Sequence, residues 1–259
     1  MAELHLPWES HFTQQELSDH LARRSALAVR VAGSDEYAVG QWWQGRTEIG
    51  VLQEVMAVGH HQALALVERL LETLRAAGAR LAILSQEEEQ RSLGFYRAHD
   101  WLKLEEILVY RRPQAAVPTD QGRLAFATLT PHRLPELMAL EQVSFPWIWR
   151  YGSDFFQEAA VTPGRRLLLA YQQSTLIGYL IITLHGSFGH LDRLAVHPAF
   201  QHRGYGAELL RHALGEMTTR GATAAGLSTQ KDNYRSQRLY ESFGFRRTGK
   251  YCIYGKWIA

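Results

Sequence analysis

The stretch LDRLAVHPAFQHRGYGAELL, residues 191–210, decides how the second half of the chain folds. It runs from an alternating strand pattern through a proline-containing loop into QHRGYG, residues 201–206, and then into a helical pattern. A helix N-terminus has about four unpaired backbone N–H groups and a partial positive charge, so it attracts anions. Gly204 and Gly206 remove side chains that would keep an anion from the backbone, while His202 and Arg203 offer further donors. By itself the hexapeptide fits either an ordinary helix-capping turn or a phosphate-binding turn.

The residues on both sides of this turn predict a mixed α/β domain. Apolar patterns bounded by turn residues predict strands at 123–129, 165–172, 174–184, 188–196 and 222–228, and a closing strand or hairpin at 245–257. Helical spacing predicts helices at 131–143, from Asp154, at 203–220 and at 233–243. Gly221 and Gly244 are the expected stops of the last two helices.

A linker and an internal repeat predict two domains. RRPQAAVPTDQG, residues 111–122, contains two prolines and no hydrophobic period. On each side of it the same order of segments recurs, and the offset between copies changes by only a few residues. The similar pairs are 6–21 with 145–160, 34–43 with 173–182, 51–58 with 190–197, 76–85 with 219–228, and 95–101 with 239–245. We therefore expect a first domain at 1–112, a linker at 113–121 and a second domain at 122–259.

Two motifs together point to a known family. Gln201, Gly204 and Gly206 fit a loop of Gln or Arg, two residues, Gly, one residue, then Gly or Ala. NYRSQRLYESFGF, residues 233–245, has an asparagine, a tyrosine seven residues later and then Gly-Phe. In these motifs the chain resembles the GNAT superfamily of acyl-CoA-dependent N-acyltransferases, over residues 122–259. The resemblance implies two tandem GNAT-like domains, each a mostly antiparallel central sheet with flanking helices. It also implies transfer of an acetyl group from acetyl-CoA to a primary amine by direct attack.

The resemblance also implies which residues would hold acetyl-CoA. Leu194, Ala195 and Val196 would lend backbone groups to the pantetheine arm. The pyrophosphate would lie on Gln201, His202, Arg203, Gly204, Tyr205, Gly206 and Ala207. Asn233 and Ser236 complete the expected set from the next helix. No metal is expected, and the 12 histidines show no spacing typical of a metal site.

Tyr240 is the expected proton donor for the departing thiolate. Asn233, Gln237 and Tyr240 stand at i, i+4 and i+7, so they share one face of a helix. A phenol of ordinary pKa, about 10, is protonated at neutral pH and can supply that proton. The family has a tyrosine in this role. The alternative is that Tyr240 only packs on the core beside Leu239 and Phe243.

His190 is the expected base that takes a proton from the amine. Alternation along FGHLDRLAV places His190, Asp192 and Leu194 on one face of the strand. Counted back from the glycine turn, His190 stands where histone acetyltransferases of the superfamily carry a glutamate base. RimI-like N-terminal acetyltransferases instead have a glutamate at the position of Ser228, although EQVSFPW, residues 141–147, resembles that group. Asp192, a water chain through Glu141 and a merely solvent-facing His190 are the alternatives.

The first copy lacks the features expected to hold the donor. Opposite QHRGYGAELL it reads VGHHQALALV, in which Gly59 is out of register and His60 and His61 would obstruct a diphosphate. Gln90 falls near the position of Asn233, and Tyr96 lies opposite Tyr240. We therefore expect residues 1–112 to be a degenerate GNAT-like domain that shapes the acceptor cleft of the second.

Composition narrows the class of protein further. A formal charge of +2 with 46% hydrophobic residues is typical of a globular protein and indicates neither a nucleic-acid nor a membrane partner. Cys252 is the only cysteine, and no signal peptide or membrane span is apparent, so a cytoplasmic location is expected. The expected partner is a small-molecule or peptide amine, and the protein is expected to be a monomer or homodimer. The alternative function is a non-catalytic acyl-CoA sensor or scaffold.

Overall fold

The structure is a computed structural model that describes Ser18 and residues 26–86, 93–114 and 122–258. Its contacts divide the chain into two compact units. The first takes in the described residues up to Glu106 and those from Tyr251 onward, and the second is Ile107–Lys250. Residues 115–121 of the expected linker, the first repeat segment apart from Ser18, and Gln90 lie outside the described residues.

The first unit is a mixed sheet with one long helix. Its elements are β1 (Ala26–Arg30), β2 (Tyr37–Trp43), β3 (Arg46–Met56), α1 (His60–Ala76), β4 (Leu81–Gln86), α2 (Leu93–Ala98), the start of β5 (Leu102–Arg112) and the end of β11 (Arg246–Trp257). Strands β1, β2 and β3 are antiparallel, whereas β3 and β4 are parallel. Cys252–Trp257 of β11 pairs antiparallel with β4, so the last residues of the chain complete this sheet.

The second unit repeats this order and adds an opening strand and two helices. Its elements are β6 (Ala125–Thr128), α3 (Leu134–Ser144), α4 (Ser153–Val161), β7 (Arg165–Gln172), β8 (Thr175–His185), β9 (Phe188–Val196), α5 (Tyr205–Thr219), β10 (Ala224–Gln230), α6 (Tyr234–Ser242) and the first part of β11. Strands β6 to β9 are antiparallel, and β9 and β10 are parallel. Ile107–Arg112 of β5 pairs antiparallel with β10. The expected mixed α/β fold is confirmed, and the closing segment is one strand.

Two apolar layers cover the sheet of the second unit. The predicted stripe of α5 is buried in one layer with Leu180, Ile182 and Leu191. The other layer joins α3 and α4 to Tyr179, Ile181 and Ala195. Each layer fills one face of the sheet because successive strand residues point to opposite faces.

A β-bulge at Asp192 corrects the prediction that His190, Asp192 and Leu194 share one face. Ile181 lies opposite Arg193 and Ile182 lies opposite Leu191, so Asp192 is the extra residue in β9. The bulge reverses the alternation beyond it. His190, opposite Thr183, therefore lies on the face of α3 and α4, whereas Leu194, opposite Leu180, packs against the layer of α5.

The first unit has a bulge at the matching place. Val39 lies opposite Glu54 and Gly40 opposite Leu52, so Gln53 is the extra residue of β3. This register matches Tyr37 with Tyr179, whereas the sequence alignment of 34–43 with 173–182 is shifted by three residues. Period-two alternation contains too little information to fix that register.

Candidate active site

The cleft of the second unit opens where β9 separates from β10. Their parallel pairing ends at Leu191 and Leu227, directly before the bulge. The His197 N–H donates to the Ile177 carbonyl at 2.9 Å. Because every second residue of an antiparallel strand directs its backbone groups to the same neighbour, those of Ala195 and Arg193 also face β8. Leu194 and Val196 therefore direct their backbone N–H and C=O groups toward the gap.

A cavity of about 500 Å³ occupies this gap. Nine of the twelve residues predicted to bind the donor line it: Leu194, Ala195, Val196, Gln201, His202, Tyr205, Gly206, Asn233 and Ser236. Arg203, Gly204 and Ala207 do not. The Arg203 guanidinium lies 5.6 Å from the centre of the Phe200 ring, and the Ala207 N–H donates to the Gly204 carbonyl at 3.1 Å.

The glycine turn presents unpaired backbone donors to this region. His202 and Gly204 have φ values of 62° and 85°, in the left-handed region that glycine adopts most readily. The backbone N–H groups of residues 202–206 donate to no other group within the described part of the chain. Consecutive N–H groups in such a turn form a concave anion site, and they stand here at the N-terminus of the 15-residue α5.

The Gln201 side chain holds the turn in place. Its Nε2 donates to the Val196 carbonyl at 3.0 Å, and its Oε1 accepts from Arg235 Nη1. Gln201 therefore connects the end of β9 to α6, and its side-chain polar groups are already engaged.

Asn233 caps the helix that forms the opposite wall. Its Oδ1 accepts from the Ser236 backbone N–H at 3.2 Å, and its own N–H donates to the Gln230 carbonyl at 3.1 Å. Because the oxygen serves the helix, the Nδ2 group of Asn233 is the part of the side chain available to a ligand.

Replacing Asn233 by alanine is expected to lower the free energy of unfolding by about 1 kcal/mol, because the first turn of α6 loses its cap. Asn233→Ser retains a capping oxygen and serves as the control. Urea unfolding measures both variants, and equal stability of the two would contradict a capping role.

Tyr240 lies in the core directly behind this wall. Its ring packs 6.4 Å from Tyr110 and 6.2 Å from Phe245 between ring centres, and only 7% of the residue is exposed. Burial raises the pKa of Tyr240 to about 12, although a hydrogen bond with Ser236 acts in the opposite direction. Ser236 lines the cavity, so the Tyr240 hydroxyl is one residue removed from it.

His190 and Asp192 form a polar cluster on the face of α3 and α4. His190 Nδ1 lies 2.7 Å from Asp192 Oδ1, and Asp192 Oδ2 accepts from Thr183 Oγ1. Arg165 Nε is 3.9 Å from the same Asp192 oxygen. Neither His190 nor Asp192 is among the residues that line the cavity. The cluster fixes the imidazole through Nδ1 and leaves Nε2 as the atom open to a proton.

Glu141 is half of a buried ion pair. It is fully buried, and Arg193 Nη2 donates to its Oε1 at 2.5 Å. The Tyr151 N–H donates to Oε1 at 2.8 Å and the Tyr179 hydroxyl to Oε2. Arg193 lies between the rings of Phe145 and Tyr151, 3.7 and 3.9 Å from their centres. Both oxygens of Glu141 are thus engaged in holding the segment after α3 against β9.

Seven lining residues were absent from the sequence-based set: Ser144, Phe145, Asp232, Tyr234, Arg235, Arg238 and Leu239. Arg235 and Arg238 follow Asn233 within two turns of α6, so their position in the helix was a usable signal. Ser144 and Phe145 come from the distant end of α3, and no local pattern places them here. The two arginines outnumber Asp232, so this lining has more cationic than anionic side chains.

The described residues lack two further kinds of feature. They contain no group of three or more His, Cys, Asp or Glu side chains placed to hold a metal ion. They also contain no helix that is long and apolar enough to cross a membrane.

The fold and the cavity place the second unit among mixed α/β proteins that have a ligand cleft at the C-terminal ends of a parallel strand pair. Residues 134–245 match the sequence model of the acetyltransferase (GNAT) family, and this part of the chain is a GNAT-family domain.

Two curated relatives illustrate the likeness. The chain is 29% identical over 121 residues to the [ribosomal protein bS18]-alanine N-acetyltransferase of Haemophilus ducreyi, covering 46% of this chain and 81% of that protein. It is 30% identical over 163 residues to the mycothiol acetyltransferase of Mycolicibacterium gilvum, covering 54% of this chain and 52% of that protein. The chain thus spans about half the length of the second relative.

Solved structures share the fold over most of the chain. A GCN5-related N-acetyltransferase from Sphaerobacter thermophilus has a TM-score of 0.65 at 17% identity, and the match covers 94% of this chain and 85% of that protein. A tandem GNAT protein from the clavulanic acid biosynthesis pathway has a TM-score of 0.65 at 13% identity and covers 92% and 85%. At these identities the likeness concerns the fold alone.

Proposed function

We propose that this protein is an acetyl-CoA-dependent N-acetyltransferase whose second unit transfers the acetyl group directly to a primary amine. The observation that carries the proposal is the cleft between β9 and β10, which leads to the unpaired N–H groups at the start of α5. A long thioester with a diphosphate at its far end suits this shape, because the phosphates need donors and the arm needs a strand edge.

The donor would bind along the cleft in an extended form. The N–H groups of residues 202–206 would hold the diphosphate, His202 would offer a further hydrogen-bond donor, and Arg235 and Arg238 would add positive charge. The backbone of Leu194 and the N–H of Val196 would pair with the pantetheine amides as a neighbouring strand does, while the Val196 carbonyl accepts from Gln201. Asn233 would contribute its Nδ2 donor from the opposite wall.

Tyr240 would protonate the thiolate as it departs. The amine nitrogen uses its lone pair to form the new bond to the acetyl carbon, the carbon–sulfur bond breaks, and the sulfur takes the phenolic proton. The acylated nitrogen then loses its surplus proton through water, which returns the Tyr240 phenolate to the phenol. Because burial raises the pKa of Tyr240 to about 12, the phenol carries this proton throughout the neutral range.

His190 would accept the proton that the ammonium form of the substrate must lose. Asp192 holds Nδ1 at 2.7 Å, which favours the tautomer with a free Nε2 acceptor. Because the pair lies outside the cavity lining, the proton would reach His190 through water on the face of α3 and α4. Asp192 would orient the ring.

We also propose that the two units are duplicated copies and that the first, within residues 1–112, does not bind acetyl-CoA. The shared element order, the matching parallel pairs and the bulges at Gln53 and Asp192 support the duplication. In the first unit Gly59 is extended, with φ −161°, and His60 packs on Phe95 with 5.7 Å between ring centres. That segment has no left-handed turn to collect N–H groups.

Calorimetry followed by an activity screen tests the proposal. We expect saturable binding of acetyl-CoA, and then release of CoA with at least one amine from a panel containing N-terminal alanine peptides, polyamines and amino sugars. Absence of acetyl-CoA binding would overturn the function. Binding without CoA release across the panel would favour a non-catalytic acyl-CoA sensor.

The His190→Ala variant should lose the acidic limb of the kcat/KM profile, because a base works only when it is deprotonated. The rate above that limb should fall about 10²-fold or more. His185→Ala, which changes a histidine on the neighbouring strand, is the control. An unchanged pH profile in His190→Ala would reject His190 as the base.

A further inference from the structure

We propose that Arg123 is a positioning residue that braces the glycine turn for anion binding. Its Nη2 donates to the Arg203 carbonyl at 2.9 Å, and its Nε lies 3.3 Å from Glu208 Oε2. Its guanidinium also lies 4.4 Å from the centre of the Tyr205 ring. One side chain thereby contacts three residues: Arg203 in the glycine turn, and Tyr205 and Glu208 at the start of α5.

Glu208 anchors this arginine. Glu208 is 8% exposed, and its Oε1 accepts from the Leu124 N–H at 2.6 Å. A Cβ at Gly122 would overlap the same carboxylate. Glu208 therefore packs against the chain on both sides of Arg123, at Gly122 and at Leu124. Because Glu208 balances the charge of Arg123, the arginine adds little net attraction for an anion.

The Arg203 carbonyl is the decisive contact. In a planar trans peptide, the C=O of residue 203 and the N–H of residue 204 point in opposite directions. Arg123 is not a lining residue of the cavity, so it holds this carbonyl from outside. The hydrogen bond therefore turns the Gly204 N–H away from Arg123 and stabilises the left-handed conformation of Gly204, whose φ is 85°.

Tyr205 extends the brace to the sheet. Its hydroxyl donates to Gln172 Oε1 at 2.6 Å, while its buried ring supports the guanidinium. The first residue of α5 is thus fixed to the end of β7. A donor with a diphosphate would meet a turn that is already ordered, and less binding free energy would be lost in ordering it.

This inference rests on the proposed function for the identity of the ligand, but not for its chemistry. Arg123→Met should weaken the binding of acetyl-CoA and of inorganic diphosphate about tenfold. It should also raise KM for acetyl-CoA and leave kcat at saturation unchanged. S-acetylpantetheine lacks the diphosphate, so kcat/KM with this donor should not change. Because the Arg123 side chain is half exposed, the variant should fold.

Arg133→Met is the matched control. Arg133 Nη1 donates to the Thr128 carbonyl at 3.3 Å and its guanidinium lies 5.4 Å from the centre of the Tyr171 ring, so it makes similar contacts elsewhere in the unit. It should bind acetyl-CoA and diphosphate like the unaltered protein.

The outcomes separate this inference from the proposed function. If the unaltered protein binds diphosphate but not acetyl-CoA, the proposed function is overturned. Weaker diphosphate binding by Arg123→Met would still support the positioning role of Arg123. Equal affinities of Arg123→Met and the unaltered protein for acetyl-CoA and diphosphate would overturn the positioning role alone. An equal loss of kcat/KM with S-acetylpantetheine and with acetyl-CoA would do the same. Failure of the unaltered protein to bind either ligand would overturn both.

Discussion

Replacing Tyr240 by phenylalanine is expected to lower kcat about 10²- to 10⁴-fold while acetyl-CoA affinity stays nearly unchanged. The substitution removes only the hydroxyl, and the phenyl ring keeps its contacts with Tyr110 and Phe245. Without the phenol, the thiolate leaves with no positioned proton. Steady-state kinetics and calorimetry with acetyl-CoA measure the two quantities separately.

Tyr110→Phe provides the matched control for this prediction. Tyr110 lies in the same apolar layer, and its hydroxyl donates to Glu241 Oε1 at 3.2 Å. Its loss should leave kcat within about twofold of the unaltered enzyme, as expected of a group outside the reaction. Equal rates for Tyr240→Phe and Tyr110→Phe would assign Tyr240 to packing.

The pKa of Tyr240 adds a pH test. Because the pKa is raised to about 12, the phenol remains protonated well beyond its ordinary value of 10. Any alkaline decline of kcat below about pH 11 should therefore persist in Tyr240→Phe. Disappearance of such a decline would show that the hydroxyl ionises earlier.

Replacing Arg193 by methionine is expected to lower the free energy of unfolding by about 3–5 kcal/mol. The change leaves the fully buried Glu141 carboxylate without its cation. It also removes the guanidinium from between Phe145 and Tyr151 and from the Trp149 carbonyl. Urea unfolding followed by tryptophan fluorescence measures the loss.

A partly exposed pair at the C-terminal end of α5 gives the comparison. Arg220 Nε lies 3.4 Å from Glu216 Oε2 with 42% of the arginine side chain exposed, so Arg220→Met should cost less than about 1 kcal/mol. The double variant Glu141→Gln with Arg193→Met should be more stable than Arg193→Met, because the buried charge is removed. Similar stability of the Arg193 and Arg220 variants would contradict the buried-pair account.

The parts of the fold that local pattern encodes could be predicted from the sequence. The stripe from Leu209 to Met217 predicted the buried face of α5, and QHRGYG predicted a glycine turn at the start of that helix. These features depend on residues that are neighbours along the chain. Their physical causes, burial of one helix face and the conformational freedom of glycine, act over one or two turns.

The parts that depend on partners distant in the chain could not be predicted. Asp192 and Arg193 are adjacent polar residues in LDRLAV, and this pattern fits both a regular strand and one with a bulge at Asp192. No local pattern identifies Arg193 as the partner of Glu141, which lies 52 residues earlier in the chain. Arg123 likewise stands beside the linker in sequence but contacts a turn eighty residues away.

The division of β5 and β11 between the units has a consequence for expressing parts of the coding sequence separately. Ile107–Arg112 pairs with β10, and Cys252–Trp257 pairs with β4, so each half of the coding sequence supplies a strand to the other unit. A fragment that starts at the linker would leave β10 with an open edge, which invites association with other chains. Expressing either half of the coding sequence alone would thus yield a chain whose sheet lacks one of its strands.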